Sequence, residues 1–152
     1  MTVSVTEGIT ADHLYEIYTD PYIAKVGHDH RKAWPIFHPN VQYLSAWVGD
    51  VFAGAFMVIR YTDIELELHS LLKRAAILHS RKLGVALLNW AFEQPIQRVT
   101  AYIIEGLEKT VNLCLKLGFK PEGRRREAIM QKGVIKDIII LGMTRADWEK
   151  TL

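Results

Sequence analysis

The stretch SRKLGVALLNWAFE, residues 80–93, decides the fold. Leu83, Leu87, Trp90 and Ala91 recur at helical spacing, and apolar residues on the remaining faces predict a buried helix. Gly84 stands in the first turn, where glycine costs about 1 kcal/mol relative to alanine. Two accounts of that cost stand side by side. A helix N-terminus offers N–H donors and a partial positive charge to an anion, with Arg81 and Lys82 adding charge at its rim. Alternatively, the glycine is needed for close packing of the helix on the sheet.

A helix buried all round needs a sheet beneath it, and the flanking residues supply one. Upstream, TDIELELHSLL alternates strictly, with Ile64, Leu66 and Leu68 on one side and Glu65, Glu67 and His69 on the other. Before it, VQYLSAWVGDVFAGAFMVIRY reads as two strands turning at Gly49-Asp50. Downstream, QRVTAYII is a strand reached through the helix, so it pairs parallel to its predecessor. A further helix over about 108–117 stops at Gly118, and two last strands turn near Gly133. At the start, TVSVT is a short strand, Thr10 caps a helix over about 11–18, and Pro21 breaks it. Residues 19–40 read as a loop with one helical turn. The order β-α-loop-β-β-β-α-β-α-β-β predicts an α+β (α/β layered) domain, a mixed sheet with helices on both faces.

The 152 residues suit a single domain, residues 1–152, with one core. Hydrophobic residues make up 49% and charged residues 24%, an ordinary globular balance. A net charge of +2 gives no ground for nucleic-acid binding. No apolar run reaches the roughly 20 residues of a membrane span, and the first residues predict no signal peptide. The single cysteine, Cys114, cannot form an internal disulfide, which fits a cytoplasmic protein. His28, Asp29, His30 and His38 are metal-ligand types, but their spacing is not a helical i, i+4 pair, and no metal is expected. The cluster GRRREA, with Lys132 and Lys136, reads as a solvated strand.

Arg81-x-x-Gly84-x-Ala86 after a third hairpin strand resembles the Gln/Arg-x-x-Gly-x-Gly/Ala signature of the GCN5-related N-acetyltransferases (GNAT). LCLKLGFKPEG resembles the family's later helix ending in Leu-Gly-Phe, and KDIIILGMTRADW its final strand. The wording of the chain is also similar to a GNAT-like group encoded by tailed bacteriophages, some of them labelled as head-assembly proteins.

The resemblance implies a mostly antiparallel sheet whose two central parallel strands splay apart around acetyl-CoA or another acyl-CoA. It places that ligand against Leu71, Leu72, Ser80, Arg81, Lys82, Leu83, Gly84, Val85, Ala86 and Leu115. It implies direct acyl transfer to an amine, of a small molecule or of a protein, in a ternary complex. A base stands on the strand before the signature, where Glu67 and His69 share a face, and Glu105 on the next strand is a second candidate. Cys114 occupies the position where relatives often keep a tyrosine acid, and Leu107 one where they often keep asparagine. These departures leave a second implication open: a protein of this fold without catalysis, acting through a partner in virion assembly. The two final strands offer a surface for a homodimer.

Overall fold

The computed structural model describes residues 2–29 and 37–152. The strands are β1 (Val3–Glu7), β2 (Val41–Val48), β3 (Val51–Thr62), β4 (Glu65–Leu72), β5 (Arg98–Ile104), β6 (Lys120–Gln131) and β7 (Val134–Thr144). The α-helices are α1 (Ala11–Thr19), α2 (Pro21–Val26), α3 (Ser80–Phe92), α4 (Glu108–Leu117) and α5 (Arg145–Glu149). The strands form one sheet in the order β1-β2-β3-β4-β5-β7-β6. Every neighbouring pair is antiparallel except β4 and β5.

Local chemistry accounts for the element ends. Thr10 accepts from the His13 N–H at the start of α1. Pro21 does more than end that helix: it opens α2 as a first-turn residue, capped by Asp20, whose side chain accepts from the Ile23 N–H. Gly118 takes φ 110° to close α4. Lys132 and Gly133, with φ 51° and 75°, form the two-residue turn between β6 and β7.

The alternation of β4 sorts its side chains as expected, with Leu66 and Leu68 buried. Ile64 departs from the expectation. It lies in the β3–β4 turn, 52% exposed, and contributes its carbonyl to the N–H groups of Gln97 and Arg98. One core, under α3, includes Leu44, Phe56, Val58, Leu66, Leu83, Leu87, Val99, Leu141 and Met143. A second, under α1 and α2, holds Leu14, Ile17, Ile23, Tyr43, Phe52 and Ala55. Both faces of the sheet are thus layered.

Two glycines are there for space. A β-carbon at Gly142 would lie 2.3 Å from Arg98 Nη2 and from Glu122 Cδ. Its absence lets those two side chains meet above β7. Gly54 combines φ +135° with a position where a β-carbon would lie 2.5 Å from the Leu71 carbonyl oxygen, at the end of β4. Gly54→Ala is expected to lower the unfolding free energy by about 1–3 kcal/mol, read from the midpoint of urea denaturation.

Candidate functional site

The site grows from the pairing of β4 and β5. Their parallel ladder contains only Glu65 with Arg98, Leu66 with Val99, Glu67 with Thr100 and Leu68 with Ala101. Both strands continue, to Leu72 and Ile104, without pairing further. β4 remains on β3 as far as Gly54–Leu72 while β5 remains on β7, so the sheet opens into a V. The N–H of Lys73 donates to the Ala53 carbonyl, continuing the β3–β4 register. Antiparallel alternation therefore turns the backbone groups of His69 and Leu71 towards β3, and those of Ser70 and Leu72 towards the opening. Of the two β4 leucines expected at a bound ligand, Leu72 has its N–H on the open side. Leu71 packs its side chain against the core under α1 and α2.

Glu67 and His69 come together as expected. On the face shared with α1 and α2, His69 Nε2 is hydrogen-bonded to Glu67 Oε2. Both side chains retain some exposure, 30% for the histidine and 18% for the glutamate. With Nε2–H donated to the carboxylate, Nδ1 is the nitrogen that carries the free lone pair. His69 follows Leu68, the last paired residue of β4, so the pair stands where the strands part.

Glu65 and Glu105 have other partners. Glu65 accepts from Thr100 Oγ1 at 2.6 Å and lies 3.6 Å from Arg98 Nε. Arg98 is paired with Glu122, and that pair raises the guanidinium pKa. Glu105 accepts from the Asp137 N–H at 2.8 Å and from Arg124 at 3.3 Å, on the β7–β6 side of β5. Arg124 also binds Asp137.

Alternation along RVTAYII puts Arg98, Thr100 and Tyr102 on the same face as Glu67 and His69. Tyr102 follows Ala101, the last residue of β5 paired with β4. Burial, and then the charges of Glu67 and Glu65, raise its phenol pKa. It is a site residue that the sequence reading missed, although alternation and the parallel register together predict its place.

The α3 residues divide by face. Leu83 and Gly84 are buried, and a β-carbon at Gly84 would lie 2.7 Å from Leu117 Cδ1. Packing thus favours a small residue here, with α4 rather than the sheet as the neighbour and the tip of a leucine side chain as the contact. Arg81, Lys82, Val85 and Ala86 line an open cleft of about 410 Å³ with Val3 and Asn89. KRAAILHS forms a turn of its own, a 3-10 helix over Arg74–His79, and Ile77 takes the N–H of Ser80. Ser80 therefore has its amide engaged.

Cys114 packs against the α3-side core with Leu107, Val111 and Leu117. Burial pushes its thiol pKa up to about 11. Leu115, expected at the bound ligand, is 41% exposed. At 100° per residue it falls about 80° from Leu107, on the far flank from Leu117.

Among the residues expected to be metal-ligand types, Asp29 spends its carboxylate on the N–H groups of Lys132 and Gly133, and His38 Nδ1 accepts from the Asn40 N–H. His30 lies outside the described residues. No group of three His, Cys, Asp or Glu suited to a metal occurs among the described residues. No helix is long and apolar enough to cross a membrane among the described residues.

The thiol should react slowly with an aromatic disulfide reagent at pH 7 and accelerate only as pH rises towards 11, because the reactive thiolate forms there. A rate plateau near the ordinary value of about 8.5 would contradict the burial described.

No family model matches the sequence, and no curated protein matches it. Solved structures do match the fold. Spermidine N-acetyltransferase from Vibrio cholerae, in complex with CoA and spermine, superposes with TM-score 0.82 at 13% identity, covering 97% of this chain and 98% of that one. Mutant forms of the spermidine/spermine N-acetyltransferase from the same organism give TM-score 0.80 at 11% identity, covering 99% of both chains. The seven-stranded mixed sheet with its parallel, splayed central strands has the GNAT acetyltransferase fold.

Proposed function

We propose that the chain is an acyl-CoA-dependent N-acyltransferase that transfers an acetyl group directly to an amine in a ternary complex. The observation that carries this reading is the hydrogen-bonded Glu67–His69 pair at the point where β4 and β5 part. The fold's occurrence in enzymes that acetylate spermidine supports a small-molecule amine as acceptor.

The residues present fit an acyl-CoA. The open edge of β4 offers the N–H groups of Ser70 and Leu72, and Arg81 and Lys82 place cations in the first turn of α3. The bound thioester supplies an acyl carbon open to nucleophilic attack. The remaining work falls to the chain. His69 Nδ1 takes a proton from the acceptor ammonium, and the Glu67 carboxylate stabilises the imidazolium that forms. The free amine attacks the acyl carbon, and a β4 N–H facing the opening stabilises charge on the carbonyl oxygen. The C–N bond forms as the C–S bond breaks, and the surplus proton of the attacking nitrogen passes to the departing thiolate, giving an amide and a free thiol. Glu65, Glu67 and Tyr102 give this face carboxylate and phenol groups, which suit a cationic acceptor.

Cys114 is not required for that departure. Its thiol, at about 11, is a weaker acid than an ordinary thiol at about 8.5, so protonating a thiolate would run uphill by about 3 kcal/mol. Cys114→Ala is expected to leave turnover within about twofold, and Cys114→Tyr to bring no gain.

Thermal-shift measurement with acetyl-CoA tests ligand binding, and Arg81→Ala should reduce the shift. Thiol-release assays across an amine panel test transfer. Glu67→Gln and His69→Ala should each lower kcat by about 10²-fold or more without changing the melting temperature in the absence of ligand. No shift at millimolar acetyl-CoA would sink the enzyme reading. Binding without turnover of any amine would favour the alternative, a partner-binding protein of this fold such as a virion-assembly factor.

A further inference from the structure

The V between β4 and β5 divides the sheet into two halves, and on the Glu67–His69 face a second joint reconnects them. The half containing β2, β3 and β4 carries α1 and α2, with Ile23 of α2 in their shared core. The other half ends in the β6–β7 hairpin, which runs past the end of β5, because β5 stops at Ile104 opposite Ile138. The chain leaving α2 meets that hairpin. Asp29 Oδ1 accepts from the Lys132 N–H at 2.7 Å, and Oδ2 accepts from the Gly133 N–H at 2.8 Å. The Asp29 N–H donates to the Met130 carbonyl at 2.8 Å. Gln131, only 6% exposed, donates to the carbonyls of Val26 and Gly27, while Lys136 Nζ donates to its Oε1 at 2.9 Å.

The positive φ of Lys132 and Gly133 shapes the turn whose two N–H groups the Asp29 carboxylate receives. A carboxylate receiving two backbone donors makes charge-assisted bonds, the stronger kind. His69 and Tyr102 follow the last β4–β5 pair on the side towards this clasp, Tyr102 lying opposite Ile140 on the strand that leads to the hairpin turn. An acceptor reaching them from this face passes an opening whose far side the clasp fixes.

We propose that Asp29 is a positioning residue that sets which amines enter, by holding the β6–β7 hairpin against the end of α2. This rests on the N-acyltransferase reading. It belongs to acceptor selection and not to the chemical step, since the Asp29 carboxylate accepts from the backbone of the hairpin turn.

The test compares the full-length protein with Asp29→Ala and Asp29→Asn. Amide hydrogen exchange, which needs no substrate, reads the clasp itself: exchange at Lys132 and Gly133 should quicken by about tenfold or more in Asp29→Ala, and less in Asp29→Asn, whose amide oxygen still accepts. Steady-state kinetics with linear and branched amines read selection. The KM ratio between branched and linear amines should fall by about fivefold or more in Asp29→Ala, with kcat for the preferred amine and the acetyl-CoA affinity within about twofold of the parent. Unchanged exchange overturns the clasp. Quickened exchange with an unchanged KM ratio overturns the selecting role, as does a fall in kcat equal for every amine. A parent protein that binds acetyl-CoA but acylates no amine overturns the transfer reading, and the selecting role with it, whereas the exchange result stands apart.

Discussion

The arrangement depends on a pairing that stops. Four residue pairs join β4 to β5, and then each strand follows its other neighbour. A strand edge released within a sheet leaves backbone donors and acceptors without a ladder, and buried backbone groups without partners are destabilising. Such an opening persists only where the rest of the molecule holds it. Leu66 and Leu68 on one strand and Val99, Ala101 and Ile103 on the other share the core under α3, so the halves are held from below by apolar packing. On the opposite face the other two pairs, Glu65 with Arg98 and Glu67 with Thr100, carry polar side chains, with Glu65 bound to Thr100 and close to Arg98.

That division of labour explains why three ionisable groups can occupy alternate positions on a central strand. Glu65 has a hydroxyl and a guanidinium as partners, and Glu67 and His69 have each other. Only the second pair lacks a structural task in holding strands together, and it is the one at the edge of the opening. Glu65 and Glu105 spend their oxygens on hydroxyl, backbone and cation contacts of the scaffold, whereas Glu67 and His69 bond each other.

Much of this was legible in the sequence because it is local. Alternation in ELELHSLL, the helical period in SRKLGVALLNW, the glycine after LCLKL and the turn near Gly133 each follow from short-range sterics and burial. The α+β layering and the parallel step follow from their order. What was not legible depends on contacts between distant residues. The neighbour packed on Gly84 is Leu117, 33 positions later, and helix periodicity cannot name a partner on another helix. Ile64 fitted the alternating pattern but fell in a turn, since a pattern marks no boundary. Asp29 looked like a metal-ligand type, yet it serves a turn about 100 residues away. Tyr102 needed both the strand pattern and the parallel register, and the second is a tertiary fact.

Gly142 has a consequence for the rim of the molecule. β6 is an edge strand, long and mostly exposed, the kind of edge that can slide or recruit another chain. Because Gly142 leaves a gap above β7, Arg98 of β5 reaches Glu122 of β6 across the strand between them. The two are second neighbours in the sheet. Sliding β6 by one residue would turn Glu122 to the other face and leave the guanidinium facing an empty place. A missing side chain in the middle strand thus acts as a ratchet stop for the outer one, and it does so without adding a single contact to β7 itself.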